Sequence, residues 1–309
     1  MNTTEEKQMK NPLGYKSEKG LLFQFAVPSI IAMLVGSLYN IVDQFFIGHS
    51  VGELGNAATN ISFPLSISCV AISLLFGIGG ASAFNISMGA GEKKKAVYYL
   101  GNSAVMLFSC GIVLCVITLM FLEPLLRFFG SPNNVLDYAK TYTGIIAFGF
   151  PFLILTTGGG HLIRADGRPK VSMICNLTGA IVNTFLDALF VFGLNMGMRG
   201  AALATIIGQV LSAIMVIWCL SHCKTVSVGK EHLRVRKKII SRIISLGTAP
   251  FSNQLAMMVV QIVMNKSLKY YGSISVYGEA VPIACAGIIT KVNQVFMSFV
   301  IGISQGLQP

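Results

Sequence analysis

An all-α protein that crosses a membrane many times is what this sequence predicts, on three observations. Of its 309 residues, 53% are hydrophobic and only 11% are charged. The apolar residues come in long runs rather than in stripes at helical spacing, and short turn-rich or charged connections separate those runs. Each run reaches the roughly 20 helical residues that a bilayer core demands.

The first run, about 21–47, holds Pro28 and one carboxylate, Asp43. Seven more follow near 57–89, 96–122, 136–163, 170–194, 199–221, 239–267 and 279 to the end. Glu5 and Glu6 break up a basic start and the first run is too long for a secretory h-region, so no signal peptide is expected. The connections GHSVGELG, GEKKK, FFGSPNN, RADGRPK, NMGMRG and YYGSISVYG are short. The sixth connection, 222–238, is long and basic and marks a boundary between two bundles. The chain therefore divides into a tail over 1–20, a six-helix lobe over 21–221, a linker over 222–238 and the start of a second lobe over 239–309.

Charge fixes an orientation and excludes a function. The net charge of +11 comes from lysines and arginines concentrated in the amino-terminal tail and in the second, fourth and sixth connections. That asymmetry is the positive-inside pattern, which places the amino terminus in the cytoplasm and makes nucleic-acid binding unnecessary as an explanation. Lys291 alone among the basic residues lies well inside an apolar run. Cys69, Cys110, Cys115, Cys175, Cys219, Cys223 and Cys285 form no CxxC pair, and His49, His161, His222 and His232 show no ligand spacing. Neither metal nor redox catalysis is indicated. The glycine-rich GIGGAS run lies inside a span, where small residues let helices approach closely.

Of the twelve acids, only Asp43 and Asp187 fall within apolar runs. Both runs point outward, and both acids lie roughly 6–10 Å below the outer face at 1.5 Å per residue. An ionised carboxylate at such a depth normally faces a cavity or a partner. Tyr39 and Asn183 each stand one helical turn deeper on the same face, and Thr205 on the sixth run reaches a similar level. Isolated polar residues often only bind helices together, but two acids at one depth point to a cation site.

Pro28 precedes Asp43 by fifteen residues, and Pro250 precedes Asn265 by fifteen. With GIGGASA and GISQGLQ closing runs two and eight, this suggests a six-helix unit that begins again after the linker. The last run ends without a charged flank, so about four further helices are expected beyond it.

Together, PSIIAMLVGSLYNIVDQFFIG, GAGEKKKA, RADGRPK, NTFLDALFVFG, GAALAT and SQGLQP resemble the multidrug and toxic compound extrusion (MATE) family. The resemblance implies twelve helices in two lobes, alternating access, and export of lipophilic, often cationic, compounds in exchange for H⁺ or Na⁺. It implies a cation site at Asp43, Asn183, Asp187 and Thr205 with Tyr39 beside it, and a helix bend at Pro28. It also implies a monomer in a bacterial plasma membrane, with membrane lipid and small-molecule substrates as its only partners and no organic cofactor. Met257, Met258, Gln261 and Asn265 are the expected substrate-cavity residues of run seven, with Met33, Met173 and Met264 as further adaptable surface. The competing reading is a flippase for a lipid-linked molecule, which would want a basic cavity. Lys291 either snorkels or pairs with an acid of the second lobe.

Overall fold

A computed structural model of the chain describes residues 18–226 and 229–306, so most of the expected tail lies outside the described residues. The described chain is almost wholly helical. Its helices are α1 Glu18–Val51, α2 Glu53–Gly89, α3 Lys93–Met120, α4 Leu122–Phe128, α5 Asn133–Ile146, α6 Phe150–Ala165, α7 Pro169–Asp187, α8 Gly197–Ser221, α9 Lys237–Ser273 and α10 Ala280–Gly306. Helix α5 runs through one 3₁₀ turn, Ala147–Gly149, into α6, so the fourth apolar run is one bent span. Pro151 starts α6, where its missing N–H leaves no helical bond unmade. A π turn, Ala188–Gly193, continues α7 directly after Asp187.

Seven spans among the described residues are long and apolar enough to cross a membrane, and α1 adds a helix of 34 residues. The chain is a multi-pass membrane protein. Its side chains are distributed accordingly: Val113, Val116 and Met120 of α3, Ile214 and Trp218 of α8, and Val260 and Val263 of α9 turn outward, while Asn60, Asn102, Asn183 and Asn265 are buried. Lipid tails are as apolar as leucine, so helices associate through close packing and polar contacts instead. Ser62 and Thr143 join hydroxyls at 2.6 Å, Ser73 donates to the Ile154 carbonyl, and Ser212 donates to the Cys175 carbonyl.

The glycine-rich run of α2 is where three neighbours meet. A Cβ on Gly77 would lie 2.7 Å from Gly158 of α6, one on Gly79 would lie 2.2 Å from the Ile243 carbonyl of α9, and one on Gly80 would strike Ser103 of α3. Only hydrogen fits at these three crossings. Farther along the same seam, Ser68 donates to Met258 of α9, and Asn60 joins Gln261 and Asn265. Helix α9 thus packs against α2 for much of its length.

Two details depart from the expected boundaries. Helix α9 continues through Tyr270 and Tyr271, which the expected connection YYGSISVYG placed outside it. Both rings are exposed, as suits amphipathic side chains at a membrane interface. The basic linker also docks tightly. Asn102 of α3 donates to the carbonyls of His232 and Arg234 and accepts from the Arg236 N–H, while Arg236 stacks 3.8 Å over the Tyr98 ring. At its other end Asp166 accepts the backbone N–H groups of Lys224 and Thr225.

A candidate cation site and its neighbouring cavity

Helix α1 lies between α7 on one side and α10 on the other. That placement follows from the small residues along its neighbours. Gly302 of α10 approaches Ile30 so closely that a Cβ would lie 2.6 Å from its Cα, and the Ser298 and Ser37 hydroxyls are hydrogen-bonded. Between α7 and α8, Gly179 and Gly208 face each other, and a Cβ on either would lie under 3 Å from the other's carbonyl. The close crossing brings Asn183 of α7 to Thr205 of α8, whose side chains are 3.4 Å apart as Nδ2 donates to Oγ1.

Asp43 of α1 and Asp187 of α7 are both buried, at 5% and 0% exposure, on two helices that pack together. Asn183 is buried one turn below Asp187. Four oxygens, Asp43 Oδ1, Asn183 Oδ1 and both of Asp187, have no donor within hydrogen-bonding geometry among the described residues. Buried acceptors are normally paired, and each unpaired one costs about 1–3 kcal/mol, more for a charged group. A concentration of acceptors without donors fits a proton or a small hard cation, for which oxygen is the preferred partner. Asp187 is also the last α-helical residue before the π turn, and such irregular turns recur at functional sites. The side chains of Tyr39 and Pro28 lie outside the described residues, although α1 passes through both positions as helix.

Against this site lies a cavity of about 410 Å³ lined by Met33, Ser37, Asn176, Asn183, Thr205 and Gln209 among others. Asn183, one turn from Asp187, and its partner Thr205 therefore both line the cavity. Met257, Met258, Gln261 and Asn265, expected to line a substrate cavity from run seven, are not among the residues that line this one. Gln261 and Asn265 are buried in the hydrogen-bond knot with Asn60, Met258 is half-buried beside Ser68, and Met257 faces outward. Of run seven, Gln254 reaches the wall instead. Met33 is the one methionine of the expected adaptable set on that wall.

Two basic residues stand elsewhere than expected. Arg164, assigned to a connection, lies within α6 and lines the cavity together with His161. No carboxylate is among the lining residues described. Lys291 does not snorkel to the membrane surface but turns toward α1. Its ammonium donates to Gln44 and interacts with Asp43. Its solitary position in an apolar run was the signal that pointed to it; the partner was not legible, because 248 residues separate it from Asp43.

The model of the MatE family matches residues 28–189. The multidrug export protein MepA of Staphylococcus haemolyticus is 28% identical over 289 residues, covering 93% of this chain and 62% of its own length. MepA of Staphylococcus aureus strain NCTC 8325 is 26% identical over 306 residues, covering 97% and 66%. Among solved structures, a complex of the MATE multidrug transporter DinF-BH superposes with a TM-score of 0.86 at 29% identity, covering 95% of this chain and 65% of that one. The chain thus spans a little under two thirds of the length of these relatives.

Proposed function

The chain belongs to the MatE family, and on that premise we propose that it forms the cation-binding part of an antiporter that exports lipophilic small molecules in exchange for H⁺ or Na⁺. One observation carries the reading: four buried acceptor oxygens of Asp43, Asn183 and Asp187, on the packed helices α1 and α7, have no partner in hydrogen-bond geometry among the described residues. Loading a single positive charge there removes the repulsion between the carboxylates and lets α1, α7 and α8 repack. Because Asn183 and Thr205 also line the cavity, a change at the acid pair alters the surface that a substrate meets. Coupling needs nothing more than a difference in cation affinity between two arrangements, tenfold for each 1.4 kcal/mol or so of bias.

Substrate recognition rests on Met33, Leu74, Leu153 and Ile301 for apolar contact and on the amides of Asn176, Gln209, Gln254 and Gln294 for orientation. The protein works as a monomer in a bacterial plasma membrane with its amino terminus in the cytoplasm, and transport rather than catalysis is its activity.

Efflux of a fluorescent lipophilic cation from vesicles containing the protein tests the proposal under imposed pH or Na⁺ gradients. Gradient-driven efflux that is lost in both Asp43→Asn and Asp187→Asn is the expected result, and the effective gradient names the ion. Efflux that ignores both gradients, or survives both substitutions, overturns it.

A further inference from the structure

The acid pair has a basic neighbour whose position is built in. Lys291 lies eleven residues into α10, far from either end of the helix. Its ammonium donates to Gln44 Oε1, and Gln44 is held from α2 by Asn56, which accepts from Nε2, and by Thr59, whose hydroxyl donates to Oε1 at 3.3 Å. Helix α10 runs antiparallel along α1, with Ser298 against Ser37 and Gly302 against Ile30 setting the register. The lysine is thereby steered to the residue next to Asp43. Asp43 is the charged group that adjoins Gln44 in α1, and α7, which carries Asp187, packs against α1. The α2 groups in this network, Asn56 and Thr59, are neutral.

We infer that Lys291 is the resident counter-ion of this site and sets its capacity at one monovalent cation. Two carboxylates and one ammonium leave the buried cluster with one uncompensated negative charge. A single H⁺ or Na⁺ closes that gap, and a second would recreate an unbalanced buried charge. The inference rests on Asp43 and Asp187 being the cation site. It also assigns each substitution a definite capacity. Lys291→Met raises the deficit to two charges, so the cluster takes two cations, the first at least tenfold more tightly. Asp43→Asn or Asp187→Asn alone leaves a neutral cluster that takes none. The double variant Lys291→Met with Asp187→Asn returns to one missing charge and regains one cation.

The test is melting of the purified chain in detergent micelles across a pH series at constant ionic strength and a NaCl series balanced with KCl. Linkage converts the slope of stability against the logarithm of cation concentration into the number of cations bound. Slopes of one for the wild type, two for Lys291→Met, zero for either single acid variant and one for the double variant are expected. Lys291→Arg, which keeps the charge, should match the wild type. Should Lys291→Met prove too unstable to purify, the double variant carries the wild-type cluster charge and decides the matter. A Lys291→Met slope and midpoint equal to the wild type, or a double variant that regains no cation response, overturns the inference. If the wild type shows no cation response, or Asp43→Asn and Asp187→Asn keep it, the cation site itself is wrong. If both acid variants lose it while Lys291→Met is unchanged, only the counter-ion role falls.

Discussion

Gly247→Ala is the sharpest structural test of how α9 joins α2. A methyl group at this position would lie 2.0 Å from the Leu75 carbonyl oxygen, 2.7 Å from its carbon and 2.9 Å from its Cα. All three atoms are backbone, so no side chain can swing aside, and the helices must separate by about 1.5 Å to restore contact distances near 3.5 Å. Forcing an extra methyl into a packed interior costs about 1–3 kcal/mol, offset by the ~1 kcal/mol that alanine gains over glycine in a helix. A net loss of about 1 kcal/mol corresponds to roughly a fivefold shift in a two-state equilibrium. Gly79 opposes Gly247 across the same crossing, so Gly79→Ala should behave alike, and the pair should be less than additive because the first separation makes room for the second methyl. Gly89→Ala, whose methyl would enter open space at the end of α2, is the control and should be neutral or stabilising by up to about 1 kcal/mol. Thermal melting of the purified variants in detergent reads the effect directly. If Gly247→Ala melts within a degree of both the wild type and the Gly89 control, α2 and α9 do not cross at backbone contact and the packing described for the seam is wrong.

Two further outcomes follow from the connections. Asn102→Ala removes two donated hydrogen bonds and one accepted bond that hold the linker to α3, and should cost about 2–3 kcal/mol at roughly 1 kcal/mol each; faster proteolytic cleavage between residues 229 and 236 is the direct readout. Glu123, in the short helix between spans, is held below the ordinary carboxylate value of 4.5 by hydrogen bonds from Lys140 and Arg127. Its contribution to stability is therefore complete above about pH 4.5 and lost as pH falls through its lowered folded value, so Glu123→Gln should flatten the melting-temperature slope in that acid window and leave neutral pH almost unchanged.

Each expected apolar run became a helical span because a bilayer leaves the backbone no partner but itself, and length and hydropathy alone are enough to announce that solution. That Asp43 and Asp187 stand apart from the other acids, inside apolar runs, was legible for the same reason. A charge within an apolar run stands out against its neighbours. The glycine-rich run of α2 was legible as a packing surface, though not which three helices would use it. Run seven shows where such reading stops. Gln261 and Asn265 are as polar as cavity residues, yet they are spent on Asn60 in the α2 seam, because helix rotation, which no local pattern records, decides whether a polar face meets a cavity or a neighbour.

What the sequence determined by itself, then, was the succession of helical spans and the two acids within them, since each depends only on local composition and the geometry of one helix. Tertiary structure alone decided the rest. The register of α10 against α1, set by glycine and serine contacts far along both helices, brings Lys291 to Asp43, and the crossing of α7 with α8 makes Asn183 and Thr205 shared walls of site and cavity. Those pairings depend on backbones approaching within a few ångströms across more than two hundred residues in one case and about thirty in the other. Such approaches are settled by the mutual fit of helices rather than by any stretch of chain read alone.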